Sequence, residues 1–221
     1  MAKVVASSTR SKSIKLTYYR VLIGAVLLLV ISAALSIPFV YESQTIWYKV
    51  GNDKIMLRSG QMAGLLAAVL LLVQILLAAR GKWLQQLFGV AGLMRWHRIN
   101  GIIIGLLAIM HMLLVLIPEG VTNLPIGLKY WPEMVGMVLL CIVAVLVISA
   151  QWRQQLRISY RRWRLLHRFL GYLAVVLMAL HVLSVCDSFE QSVPRVALLF
   201  SVVGVMLAVF GSKVLSMPPG E

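Results

Sequence analysis

The chain has little charge and few side chains that do chemistry. Of its 221 residues 13% are charged, seven are acidic, four are histidine and two are cysteine, while 61% are hydrophobic. So little charge cannot solvate the surface of a soluble globule, and the mean hydropathy of +0.91 excludes one. Cys141 lies inside an apolar run and Cys186 just past another. That excludes a disulfide framework, and neither spacing resembles a metal motif. There is no Gly-rich loop between a strand and a helix, which excludes a nucleotide-phosphate cradle within the chain. No connection has the strand pattern or length of a soluble domain. What remains is apolar sequence in long runs.

Six stretches can each span a hydrocarbon core that needs about 20 residues. They run roughly from Tyr18 to Pro38, Gly60 to Ala79, Ile99 to Ile117, Met134 to Ala150, Phe169 to Val185 and Pro194 to Val214. The predicted fold is all-α: a six-span transmembrane bundle at residues 18–214, with a basic segment at 1–17 and a short tail at 215–221. A basic region precedes the first apolar run as in a signal peptide. The run is long and lacks a clear small-residue cleavage site, so it is predicted to stay as a span.

The net charge of +14 comes from an uneven distribution, which argues against nucleic acid as a partner. Lys3, Arg10, Lys12, Lys15 and Arg20 precede the first span; Arg80, Lys82, Arg95 and Arg98 occupy the second connection; Arg153, Arg157, Arg161, Arg162, Arg164 and Arg168 crowd the fourth. With six spans these segments share one side. The other side holds Glu42, Asp53, Glu119, Glu133, Asp187 and Glu190. The positive-inside rule predicts a multi-pass protein of the cell membrane (the inner membrane in a bacterium) with both termini cytoplasmic. Removing any one span would scramble this asymmetry.

All four histidines fall into two copies of one pattern. HRINGIIIGLLAIMH carries His97 and His111; HRFLGYLAVVLMALH carries His167 and His181. Fourteen residues on a helix return to nearly the same face, roughly 21 Å further along at about 1.5 Å per residue. The two copies lie on the third and fifth spans, which run in the same direction and can face one another. His97 then pairs with His167 near the cytoplasmic end, and His111 with His181 near the outer end. Two imidazoles facing one another can ligate haem iron from both sides, so the repeat suggests two stacked haems between spans 3 and 5. A single histidine at a helix end is more often an interfacial polar group. Four with matched spacing and flanks, and none elsewhere, carry the metal reading.

Gly101 and Gly171 follow the inner histidines by one turn on the same face. They would let a porphyrin lie against the backbone, or simply let helices pack closely. Arg98 and Arg168 follow the same histidines directly and would bind propionates through paired hydrogen bonds. The other basic residues, with Trp152, Tyr160 and Trp163, suit anchoring to lipid head groups, or docking of a flavin cofactor or an electron donor. Met110, Met112 and Met178 flank the ligand helices as gap-fillers rather than ligands.

The histidine pairs on the third and fifth of six spans resemble the ferric reductase-like transmembrane domain. That family includes ferric reductases, NADPH oxidases and the haem-binding membrane subunit of the bacterial periplasmic methionine sulfoxide reductase. The resemblance covers nearly the whole chain. It implies two haem b groups, with His97 and His167 holding the inner one and His111 and His181 the outer. It also implies electrons passing from a cytoplasmic flavin and NAD(P)H-linked donor to an acceptor outside. The larger members continue into a flavin and nicotinamide domain, whereas this sequence stops at Glu221. The donor is therefore expected to be a separate reductase, unless the sequence is a fragment of a longer one.

Ferric iron is the leading acceptor. A periplasmic reductase such as methionine sulfoxide reductase, with this chain as its haem-binding membrane subunit, is the second. Oxygen, reduced to superoxide, is a third. Outward electron flow is favoured by about 2.3 kcal/mol per 100 mV of membrane potential. A non-haem transporter or proton channel would need acidic or other polar partners buried along its path, and the spans read as nearly free of them. A cytochrome b561-type arrangement also holds two haems in six helices, but there each haem bridges a different helix pair.

Overall fold

The computed structural model describes residues 2–120 and 126–214. The described chain is helical throughout: α1 (Ala2–Val40), α2 (Gln44–Trp47), α3 (Gly51–Ala79), α4 (Lys82–Glu119), α5 (Trp131–Trp152), α6 (Tyr160–Val185) and α7 (Ser192–Val214), with 3-10 turns at Leu128–Tyr130 and Asp187–Glu190. Apart from the single turn of α2, these six helices are long and apolar enough to cross a membrane. The expected tail at 215–221 lies outside the described residues.

The helices outrun the apolar windows that locate them. α4 and α6 were expected to begin at Ile99 and Phe169 but start at Lys82 and Tyr160, and α1 is helical from Ala2 through the basic segment without a break. A hydropathy window closes where charge begins. Backbone hydrogen bonding does not, because Arg and Lys can reach to the interface from a continuing helix. As a result His97 and His167 sit well inside helices rather than at their ends. α4 bends at Gly89, whose φ of 71° lies in the left-handed region that glycine tolerates. Arg20 reaches across from α1 and donates from Nε and Nη2 to the Leu87 carbonyl, at 2.8 and 2.5 Å. It thereby ties α1 to the last turn of the segment before the kink.

Contacts between connections fix which of them share an end. Lys49 Nζ lies 3.2 Å from a Glu119 carboxylate oxygen and donates to the Pro118 carbonyl, and Ser188 Oγ donates to the Tyr41 carbonyl at 2.5 Å. The first, third and fifth connections thus meet at one end. At the other, Gly81 lies beside Ser212 near the end of α7, where a Cβ on the glycine would be 3.7 Å from Ser212 Cβ. The arginine-rich connections gather there, and it is the basic end below.

α3 is the centre of the bundle, touching α1, α4, α6 and α7. Its closest pairing is with α4, and α5 pairs most closely with α6, giving two hairpins in sequence. Lipid gives apolar side chains no reason to avoid the outside, and Leu28, Leu29, Phe200 and Phe210 face outward accordingly. Close backbone approach does the packing instead. A Cβ at Gly60 would lie 3.0 Å from Val115 Cγ2 and 3.1 Å from Leu114 Cβ, so glycine sets the α3–α4 spacing. Ala68, Leu71, Leu72, Ile75, Ile104, Val143, Ala174, Val175, Met178 and Val209 form one buried cluster. Of the three methionines flanking the ligand helices Met178 fills the core, whereas Met110 faces outward. Among the described residues the backbones of α4 and α6 have no extensive contact. Each histidine helix is backed by its hairpin partner and faces the other through side chains.

Candidate functional site

The fourteen-residue spacing puts two histidines on one face of α4 and two on one face of α6, and the two faces oppose. The rings of His97 and His167 have centroids 6.3 Å apart near the basic end. Those of His111 and His181 are also 6.3 Å apart, at the opposite end. Two imidazoles bound to one metal from opposite sides stand roughly 6 Å apart centre to centre, from two metal–nitrogen bonds of about 2 Å plus the ring radii. Both separations fit an iron between the rings. The crossed pairings are excluded by the length of helix between the two levels.

At the end remote from the termini, both rings are held by backbone carbonyls of the hairpin partner. His111 Nδ1 lies 2.8 Å from the Gly60 carbonyl on α3, and His181 Nδ1 lies 2.9 Å from the Pro132 carbonyl on α5. A carbonyl only accepts, so each Nδ1 carries the proton and each Nε2 keeps its lone pair for a metal. This is the usual arrangement of a ligating histidine. Room for the rings comes from glycine one turn beyond each carbonyl. A Cβ at Gly64 would lie 2.8 Å from His111 Nδ1, and a Cβ at Gly136 would collide with His181 Cε1 and lie 2.8 Å from its Nδ1. Carbonyl, glycine and histidine recur in the same order in both hairpins, so the repeat extends beyond the histidine helices to their partners.

The pair near the basic end is held differently. His97 Nδ1 and His167 Nδ1 are buried with no hydrogen-bond partner among the described residues. His97 is tied through its main chain: Gln74 Nε2 on α3 donates to the His97 carbonyl at 2.9 Å and lies 3.4 Å from His97 Nε2. Asn100 Nδ2 orients that amide, donating to Gln74 Oε1 at 2.8 Å and to the Leu70 carbonyl at 2.9 Å. His167 is braced by Trp163 one turn earlier, with ring centroids 4.9 Å apart, and Trp163 Nε1 donates to Ser149 Oγ on α5 at 3.4 Å.

The other residues singled out in the sequence fall as follows. Arg98 and Arg168 are exposed and make no hydrogen bond or ion pair with any described residue. Gly101 faces Gln74, whose Nε2 would be 3.1 Å from a Cβ there, and Gly171 faces Ile75, whose Cδ1 would be 3.8 Å away. Gly101 thus makes room for the amide that holds His97.

Sequence reasoning missed Gly60, Gly64, Pro132, Gly136, Gln74 and Asn100, and took Trp163 for an interfacial anchor. The two amides were the available signal, since a Gln or Asn deep in an apolar span needs a partner.

The family described as ferric reductase like transmembrane component matches residues 63–178, just over half of the chain. The matched stretch takes in Gly64, Gln74, His97, His111, Gly136 and His167, and ends three residues before His181. No curated protein and no solved structure matches the chain.

Proposed function

The chain belongs to the ferric reductase-like transmembrane component family, and from that premise of membrane electron transfer we propose a di-haem b conduit that delivers electrons to an acceptor beyond the membrane, ferric iron foremost. The observation that carries this reading is the equal 6.3 Å separation of two histidine pairs at two depths. Haem bound at each pair would supply a one-electron carrier at each level.

His97 and His167 would hold the group near the basic end, and His111 and His181 the other. The Gly60 and Pro132 carbonyls keep the proton on Nδ1 of His111 and His181 and present Nε2, while Gly64 and Gly136 leave the rings their space. The buried apolar cluster between the levels, including Ile104, Ala174 and Val175, keeps water out of the path. Arg98 and Arg168 are exposed at the basic end and would pair with propionates of a haem held there.

The positive-inside bias supports an orientation with the basic end and both termini in the cytoplasm. A flavin- and NAD(P)H-linked donor docks there. Exposed Arg157, Arg161, Arg162 and Arg164 supply positive charge to attract it.

Proteoliposomes with the basic end inward, loaded with NADH and a soluble flavin reductase, test the direction and the acceptor together. Reduction of an external ferric chelate is expected from wild type and is expected to vanish in His97→Ala and in His111→Ala. Unchanged rates in both variants would overturn the conduit. Electrons that reach the protein but not the chelate would favour a periplasmic reductase as acceptor, or oxygen if superoxide accumulates instead.

A further inference from the structure

The two hairpins repeat one another at the level of His111 and His181 but not at the level of His97 and His167. Gln74 stands ten residues beyond Gly64, and the residue ten beyond Gly136 is Leu146; Asn100 stands three beyond His97, and the residue three beyond His167 is Leu170. One half of a duplicated design therefore carries an amide pair, a buried Asn100 and a half-buried Gln74, where the other carries two leucines. Placing two amides within apolar spans is costly unless they are satisfied, and these two are tied to each other and to two backbone carbonyls. Helix adhesion alone does not account for the placement, since the α5–α6 hairpin closes without an amide at either position.

We propose that Gln74, oriented by Asn100, is a positioning residue for His97 that sets the reduction potential of the group held near the basic end. The proposal rests on the haem reading given above. Two features of the geometry carry it. The Gln74 Nε2 donor holds the His97 carbonyl at 2.9 Å and lies 3.4 Å from the ring Nε2, so it fixes the backbone of the ligand and sets an N–H dipole beside its ring. Gly101 leaves this amide its place, at 3.1 Å from where a Cβ would be. Bond dipoles act on charge at short range in a low-dielectric interior. The positive end of an N–H dipole directed at the ligand favours the extra electron of the reduced state, so the amide raises the potential on its own level.

The test is spectropotentiometric titration of the purified full chain as wild type, Gln74→Met and Asn100→Ala. Each is also measured in the His111→Ala background, which isolates the level of His97. In Gln74→Met the group at that level is expected to shift at least tenfold toward the oxidised form, about 59 mV for one electron. Asn100→Ala is expected to shift it the same way by less, and the group at the His111 level is expected to keep its potential and spectrum in both. An unchanged potential at the His97 level would overturn the proposal. So would equal loss of both groups in both variants, because the amides would then serve only as helix adhesion. Wild-type protein without haem would instead contradict the underlying functional reading.

Discussion

The histidine pairs at the two ends of the bundle share one sequence repeat and one ring separation, yet different chemistry holds them. The pair remote from the termini is fixed at the rings, by carbonyls of α3 and α5 that accept from Nδ1. The pair near the basic end is fixed indirectly, His97 through an amide on its main chain and His167 through the face of Trp163, and both Nδ1 atoms are left without a partner. Repeating a ligand motif fixes where the rings stand. It leaves open how strongly each ring donates to a metal, because that depends on what accepts the Nδ1 proton. Two ligand pairs of the same residue type can therefore serve sites of different potential.

Substitutions at the ring cradles should separate the levels most sharply. Gly136→Leu puts a branched side chain where a single Cβ already collides with His181. It is expected to halve the haem content while leaving the spectrum of the His97 level intact, as read by haem-to-protein ratio and low-spin absorbance. Loss confined to the His97 level would invert the assignment of partners. Trp163→Leu probes the other level with a smaller effect. An aromatic contact contributes about 0.5–1.5 kcal/mol beyond area burial, so haem at the His97 level should be retained roughly several-fold less well on dilution or competition with a haem acceptor. The His111 level should not change.

The two glycines of the histidine repeat sharpen the contrast within one level. Gly101→Ala presses on Gln74 and is expected to alter the spectrum of the His97 level. Gly171→Ala adds a methyl at ordinary contact distance from Ile75 and is expected to be silent. Equal effects would mean that both glycines face the haem itself. The smallest change is expected from Arg98→Gln and Arg168→Gln. These side chains are exposed, so a propionate pairing there is weakened by solvent and salt. Haem affinity at the His97 level should fall by about threefold or less, with a salt dependence that the Gly136 variant lacks.

The six spans were legible because the bilayer imposes a length and a composition that few other structures need. Their ends were not, since Lys82 and Tyr160 begin helices in polar sequence that no hydropathy window includes. The pairing of the histidines followed from spacing and helix direction alone. What holds the rings did not, for a specific reason. The acceptors at Gly60 and Pro132 are main-chain atoms, and no residue type announces a carbonyl that will accept a second hydrogen bond. Gly64 and Gly136 lie on the neighbouring helices, some 45 residues from the histidines they accommodate. Glycine in an apolar span also has the ordinary meaning of close helix packing. Gln74 and Asn100 were visible as polar residues in apolar runs, but their partnership spans a hairpin and follows from the α3–α4 register rather than from either residue.

The central claim is that each histidine pair holds one haem, and the haem-to-protein ratio by pyridine haemochrome assay on wild type, His97→Ala and His111→Ala tests it most directly. The account predicts two haems in the wild type and one in each variant, the two remaining spectra summing to that of the wild type. No haem in the wild type, or two haems retained in His111→Ala, would contradict it.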